Sequence, residues 1–165
     1  MITRSKRLAL SGACAAVALA LSTPGSAHAG SGDDANLHSM EACQEWPSSS
    51  AFKFHIYYNS GMNGSWRNIG YSVWDFNAVR PGGSDPGAYP LRFCGIGGAS
   101  SPWPGSGQRI KNNAASAEND HYKYRANVHY NSGYKGPADV MGPGQSIAQF
   151  RNVYNENASF EWTSS

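Results

Sequence analysis

Phe52-Lys53-Phe54-His55-Ile56-Tyr57-Tyr58-Asn59-Ser60-Gly61-Met62-Asn63-Gly64 is the stretch on which the reading turns. Phe52, Phe54, Ile56 and Tyr58 alternate with Lys53, His55 and Tyr57, the period of a strand with one buried face. Asn59-Ser60-Gly61 then reads as a tight turn, because Asn and Gly tolerate positive φ. The same turn recurs 72 residues later as Tyr130-Asn131-Ser132-Gly133, and Gly64 and Gly70 match Gly136 and Gly142, six identities in thirteen ungapped positions. The strands before the turns agree in pattern, Phe54 and Ile56 against Ala126 and Val128. Downstream, Asn112-Asn113-Ala114-Ala115-Ser116 corresponds to Asn155-Glu156-Asn157-Ala158-Ser159. The chain therefore contains an internal duplication. Two similar β units, each too small to bury a core alone, pack most simply face to face as a two-sheet sandwich with pseudo-twofold symmetry.

Working outward, the distance from the tyrosine to the Asn-rich element is 54 residues in the first copy and 25 in the second. The difference of 29 is close to the length of a Gly/Pro-rich stretch at about 77–107, read as an insertion with little strand character beyond Tyr89 to Cys94. Such a stretch inside a compact domain usually carries function or disorder. Further strands are expected at Asn68 to Phe76, Tyr122 to Tyr130 and Ser159 to Trp162; no window has sustained helical periodicity. The expected organisation is a domain at 52–165, with a first motif at 52–124 that carries the insertion and a second at 125–162. Residues 30–51 form a loose polar arm ahead of it, tied down by a disulfide from Cys43 to Cys94.

Residues 1–29 read as an export signal: Arg4, Lys6 and Arg7, then the apolar Leu8 to Leu21, then Ala27-His28-Ala29 before Gly30. The apolar run is too short for a convincing membrane span. Without the signal, 136 residues remain with 10 basic and 11 acidic side chains. The precursor's basic balance thus belongs to its leader, and nothing favours nucleic acid or an anionic membrane as partner. The product is expected to be soluble and extracellular. In that compartment Cys43 and Cys94 are expected to pair, with two free thiols as the other reading; a zinc site lacks the ligands.

The pattern of an aromatic, four residues, an aromatic, one residue and a glycine falls on Tyr57, Met62 and Gly64, and again on His129, Tyr134 and Gly136. It resembles the beta/gamma-crystallin Greek-key motif, with Met62 and His129 standing where that family has an aromatic. The resemblance covers roughly residues 52 to 162, insertion excepted. It implies an all-β fold in which two Greek-key motifs form a beta/gamma-crystallin-like two-sheet sandwich. The Asn-rich elements resemble that family's calcium motif, although Ala117 and Phe160 replace its last serine. The resemblance implies calcium on Asn112, Asn113, Ser116, Asn155, Glu156 and Ser159, in two sites completed by turn carbonyls of the opposite copy. The other reading is that these residues only form Asx-type turns. With Glu156 as the one charged donor, affinity would be modest.

No His-Glu-x-x-His or Gly-x-Ser-x-Gly motif is present, and no paired-carboxylate cue suggests a glycosidase, so no enzymatic activity is expected. His55 and His129 fall on the outward phase of their strands and read as surface residues. Trp66, Trp74 and Trp162 read as core. Trp103, between Pro102 and Pro104, is either an exposed contact residue or folded back over a sandwich edge. An exported crystallin-like chain of this size also resembles the actinobacterial metalloproteinase-inhibitor family. That implies a binding protein that occludes a peptidase through rigid loops, with Gly95 to Gly107 as contact surface. The alternative is a calcium-binding structural or antimicrobial protein that binds cell-wall glycan.

Overall fold

The computed structural model describes residues 40–80, 87–95 and 103–165. The export signal, the start of the arm and the parts of the insertion at 81–86 and 96–102 lie outside the described residues. Seven strands follow in chain order: β1 (Phe54–Asn59), β2 (Asn63–Ile69), β3 (Ser116–Asn119), β4 (Tyr124–Asn131), β5 (Lys135–Met141), β6 (Gln145–Ile147) and β7 (Ser159–Ser164). They form two antiparallel sheets, ordered β2-β1-β3-β6 and β5-β4-β7. The sheets exchange segments. Strand β6 of the second copy borders β3 of the first, while Val73 of the first copy bridges Phe160 in β7 through two backbone hydrogen bonds of 2.7 and 3.0 Å. The two expected Greek keys are therefore interlocked, and the crystallin-like sandwich class holds.

The alternation in β1 and β4 explains the core. Phe54, Ile56, Ala126 and Val128 point between the sheets, with Val73, Phe76, Val153 and Phe160 around them. Phe54 stacks on Phe160 across the interface at 3.9 Å between centroids. Burying each such side chain contributes about 1.5–3 kcal/mol. Gly64 and Gly136 hold φ of 76° and 79°, and a Cβ there would come within 3.1 and 2.8 Å of the Asn59 and Asn131 side chains. Any L side chain at either position would be strained, which is why both copies keep glycine.

Each hairpin is fastened by the serine of its own copy's Asn-rich element. The Ser116 hydroxyl donates to Asn59 O (2.6 Å) and accepts from Met62 N (3.0 Å). The Ser159 hydroxyl does the same with Asn131 O (2.7 Å) and Tyr134 N (3.1 Å). The Asn-rich turns also bond to each other, Asn112 N to Asn157 O and Asn155 N to Ala114 O. Asn112 and Asn155 both adopt left-handed φ, 62° and 54°, which asparagine accepts at low cost.

Several expectations need correction. The strand expected at Asn68 to Phe76 lies instead at Asn63–Ile69, because Gly70 sits flat beneath Phe52, where even a Cβ would clash at 2.4 Å, and only Val73 bridges afterwards. Trp74, expected in the core, is consequently about half exposed and leans on Tyr134. Strands β3, β5 and β6 were not foreseen: β5 contains Gly136 and Pro137, tolerated on a sheet edge, and β6 is too short to display a period. The described arm is tied down by the expected bond and also takes up regular turns. Met40–Gln44 forms a π-helical turn and Pro47–Ser49 a 3-10 turn, both against β2, and Cys43 is bonded to Cys94. This cover buries His55, and His129 is buried as well, so neither is a surface residue. The insertion is also more than an excursion. Val79, Leu91 and Phe93 are fully buried, and Leu91 N bonds Phe76 O at 2.6 Å. Beneath it lies Arg67, whose Nη1 donates to Arg92 O (3.2 Å) and whose pKa burial pulls down to about 9.

Candidate binding cleft

Register places a set of side chains on the outer face of the first sheet. Tyr57 pairs with Trp66 across β1 and β2, and His55 pairs with Asn68 on one side and Glu118 on the other. Phe54 and Ile56 face the core, so His55 and Tyr57 must face outward. The arm crosses this face. Asn68 Nδ2 donates to Glu41 O (3.0 Å) and Glu45 O (2.8 Å), and the disulfide ties the same turn to Cys94. These ties set Trp46 on Trp66, stacked at 4.7 Å and 23°. Trp103 arrives from the end of the insertion, where Ser65 N donates to Pro104 O (2.9 Å), and meets Trp66 edge-on at 5.4 Å and Trp46 at 5.9 Å.

The three indoles line a cleft of about 420 Å³, together with Tyr57, Met62, Glu118 and Asp120. Trp66 is 4% exposed, whereas Trp46 and Trp103 keep 52% and 37% of their surface open to solvent. The Trp66 indole N–H is buried without an acceptor. Tyr57 donates to Glu118 Oε2 at 3.1 Å; burial and then the Glu118 carboxylate push its pKa above the ordinary tyrosine value, so it stays a neutral donor. Asn68 gives both amide hydrogens to the arm, so its Oδ1 accepts from His55 Nδ1–H at 2.7 Å. His55 Nε2 faces Asp120 Oδ2 at 3.5 Å. Burial lowers the His55 pKa, against the raising influence of Asn68, Asp120 and Glu118.

The second copy serves as an internal comparison. The Tyr57–Glu118 pair has its counterpart in His129–Glu161, also 3.1 Å apart, which belongs to the shared scaffold. The position of Trp66 is taken by Ala138, and neither Trp46 nor Trp103 has an equivalent. A tryptophan cluster that one copy dispenses with is not needed to build the sandwich.

The expected calcium donors, which were to serve two sites, are divided between a groove and the hairpins. Asn112, Asn155 and Glu156 border a second groove of about 370 Å³ with Tyr130, Asn131 and Ser132. Asn113 Nδ2 donates to Arg109 O, and the Ser116 and Ser159 hydroxyls are taken up in the hairpins. A cation already occupies the groove: Lys111 Nζ lies 2.9 and 3.1 Å from the Asp75 carboxylate oxygens and 2.9 Å from Ser132 Oγ. Burial works to raise the Asp75 pKa, but the Asn77 N–H, Lys111 and Ser132 outweigh it and hold the carboxyl below its usual value. Lys111 and Glu156 are the charged residues lining this groove, so a calcium ion there would meet a single carboxylate. Among the described residues no cluster of three or more His, Cys, Asp or Glu offers another metal site.

Of the residues singled out from sequence, the structure joins Cys43 to Cys94 and brings Trp103 into the cleft. Trp46, Trp66, Tyr57, Glu118 and Asp120 were missed. One signal was in reach, since aligning the copies sets Trp66 against Ala138.

The interlocked Greek keys define the fold as the beta/gamma-crystallin arrangement. Among solved structures, the chain is similar to one described as "Evolution of the eye lens beta-gamma-crystallin domain fold", with a TM-score of 0.47 at 10% identity over 69% of this chain and 87% of that one. It is also similar to a betagamma-crystallin domain from Flavobacterium johnsoniae, with a TM-score of 0.41 at 8% identity over 67% of this chain and 93% of that one. No protein-family model matches the chain, and no curated protein matches it.

Proposed function

We propose that this is an exported, non-catalytic binding protein whose cleft between Trp46, Trp66 and Trp103 takes a cell-wall glycan. The observation that carries the reading is the one-sidedness of the tryptophan cluster, present on the first copy and replaced by Ala138 on the second. Flat apolar faces of sugar rings stack on indoles, while carboxylates such as Glu118 and Asp120 accept from sugar hydroxyls. The disulfide and the Asn68 hydrogen bonds hold Trp46 in place beforehand, so little side-chain freedom is lost on docking. Peptidase inhibition, which the sequence resemblance implied, would need the end of the insertion to project. Its described part, Trp103 to Gly107, is bonded back to Ser65 and Phe93 instead, which favours the cleft.

The test is retention of the signal-free protein on chitin and peptidoglycan, with intrinsic tryptophan fluorescence as a second readout. Retention is expected, and Trp103→Ala should abolish it. Inhibition of thermolysin-like peptidases at micromolar protein, with no retention on either glycan, would replace this reading by the inhibitor one.

A further inference from the structure

Resting on the glycan reading, we infer that the cleft selects amino sugars bearing a free, protonated amine over their N-acetylated forms. The described lining residues include two carboxylates, Glu118 and Asp120, and no Lys or Arg. Glu118 accepts one hydrogen bond, from Tyr57, which leaves acceptor capacity on its oxygens. Asp120 is more than a third exposed beside the cleft, and its near neighbour His55, whose Nε2 lies 3.5 Å away, is fully buried. The arm packed on this face adds Glu41, bonded to Ser50 and Ala51, and Glu45, bonded to Ser49. Lys53 is the nearby cation, and its ammonium is bonded to Ser50 O at 2.6 Å.

The aromatic walls act in the same direction. A cation over an indole face is attracted by the ring quadrupole, most strongly over tryptophan, and three indoles converge here. Acetylation removes the positive charge and with it both attractions. An ammonium near a carboxylate pair and an indole face is expected to bind about tenfold tighter than the neutral amide.

The experiment is fluorescence titration of the intact signal-free protein with glucosamine oligomers and N-acetylglucosamine oligomers of equal length. It is run at about pH 6, where a free amine is protonated, and at low and high salt. The expected result is about a tenfold preference for the glucosamine series that shrinks with salt. Glu118→Gln, and separately Asp120→Asn, should reduce the preference, two variants guarding against one that fails to fold. Equal binding of the two series by the wild type, or a preference untouched by both variants, overturns the charge selection and leaves the glycan reading standing. Binding of neither series overturns both.

Discussion

Replacing Cys43 and Cys94 together by serine, or reducing the bond between them, removes the covalent tie between arm and insertion. The cysteines are 51 residues apart in sequence. Loop-closure entropy for that separation corresponds to about 4 kcal/mol of stabilisation lost. For a chain of this size, that is a fall in thermal midpoint of roughly 10–20 °C. The arm keeps some non-covalent hold through the two Asn68 hydrogen bonds and the Trp46–Trp66 stack, so the sandwich should still fold at low temperature. The cleft should suffer first, because Trp46 sits three residues from Cys43 and loses its fixed position over Trp66. Calorimetry of the double serine variant gives the midpoint, and glycan-induced tryptophan quenching gives the cleft. A midpoint within about 2 °C of wild type would refute the loop-entropy reasoning. Undiminished glycan affinity in a variant that has lost its midpoint would refute the claim that the bond positions Trp46.

Ser116→Ala and Ser159→Ala each leave a hairpin carbonyl and N–H without their partner, so each should cost about 1–3 kcal/mol in urea denaturation; a loss under about 0.5 kcal/mol in either would contradict the fastening role. Calcium is expected to leave the melting midpoint unchanged, because Lys111 already supplies the positive charge beside Asp75 and Ser132; a rise reversed by chelator would restore the ion to the Asn-rich turns. His55 has a lowered pKa in the fold, so the unfolded chain binds more protons, and stability should decline as pH falls below about 6.5. His55→Gln should flatten the midpoint's pH dependence in that window, and an unaltered slope would show that another group is responsible.

The duplicated hairpins were legible because their chemistry is local. A left-handed glycine and a strand alternation announce themselves within a few residues, as Gly64, Gly136, Phe54 and Ile56 do. The cleft was not, because its parts come from four separate segments brought together by register and by the arm. Glu118 belongs to a four-residue strand without visible periodicity, and Trp46 to a segment with none. Alternation did place His55 and Tyr57 opposite the core side, but it could not show that a second layer covers that side. The Asn-rich turns were visible in sequence, whereas the Lys111 contact beside them was not, because its partner Asp75 lies thirty-six residues away.

The crossing of Val73 into one sheet and β6 into the other also bears on how the chain can be divided. Neither half owns a complete sheet, so a break between Asn119 and Tyr124 would yield two fragments that each lack an edge the other carries. Mixing such fragments is expected to restore the same pairs of strands, which recovery of the full-length near-ultraviolet spectrum would check. The join between the copies is a point where the polypeptide can be opened without erasing the instructions for closing it.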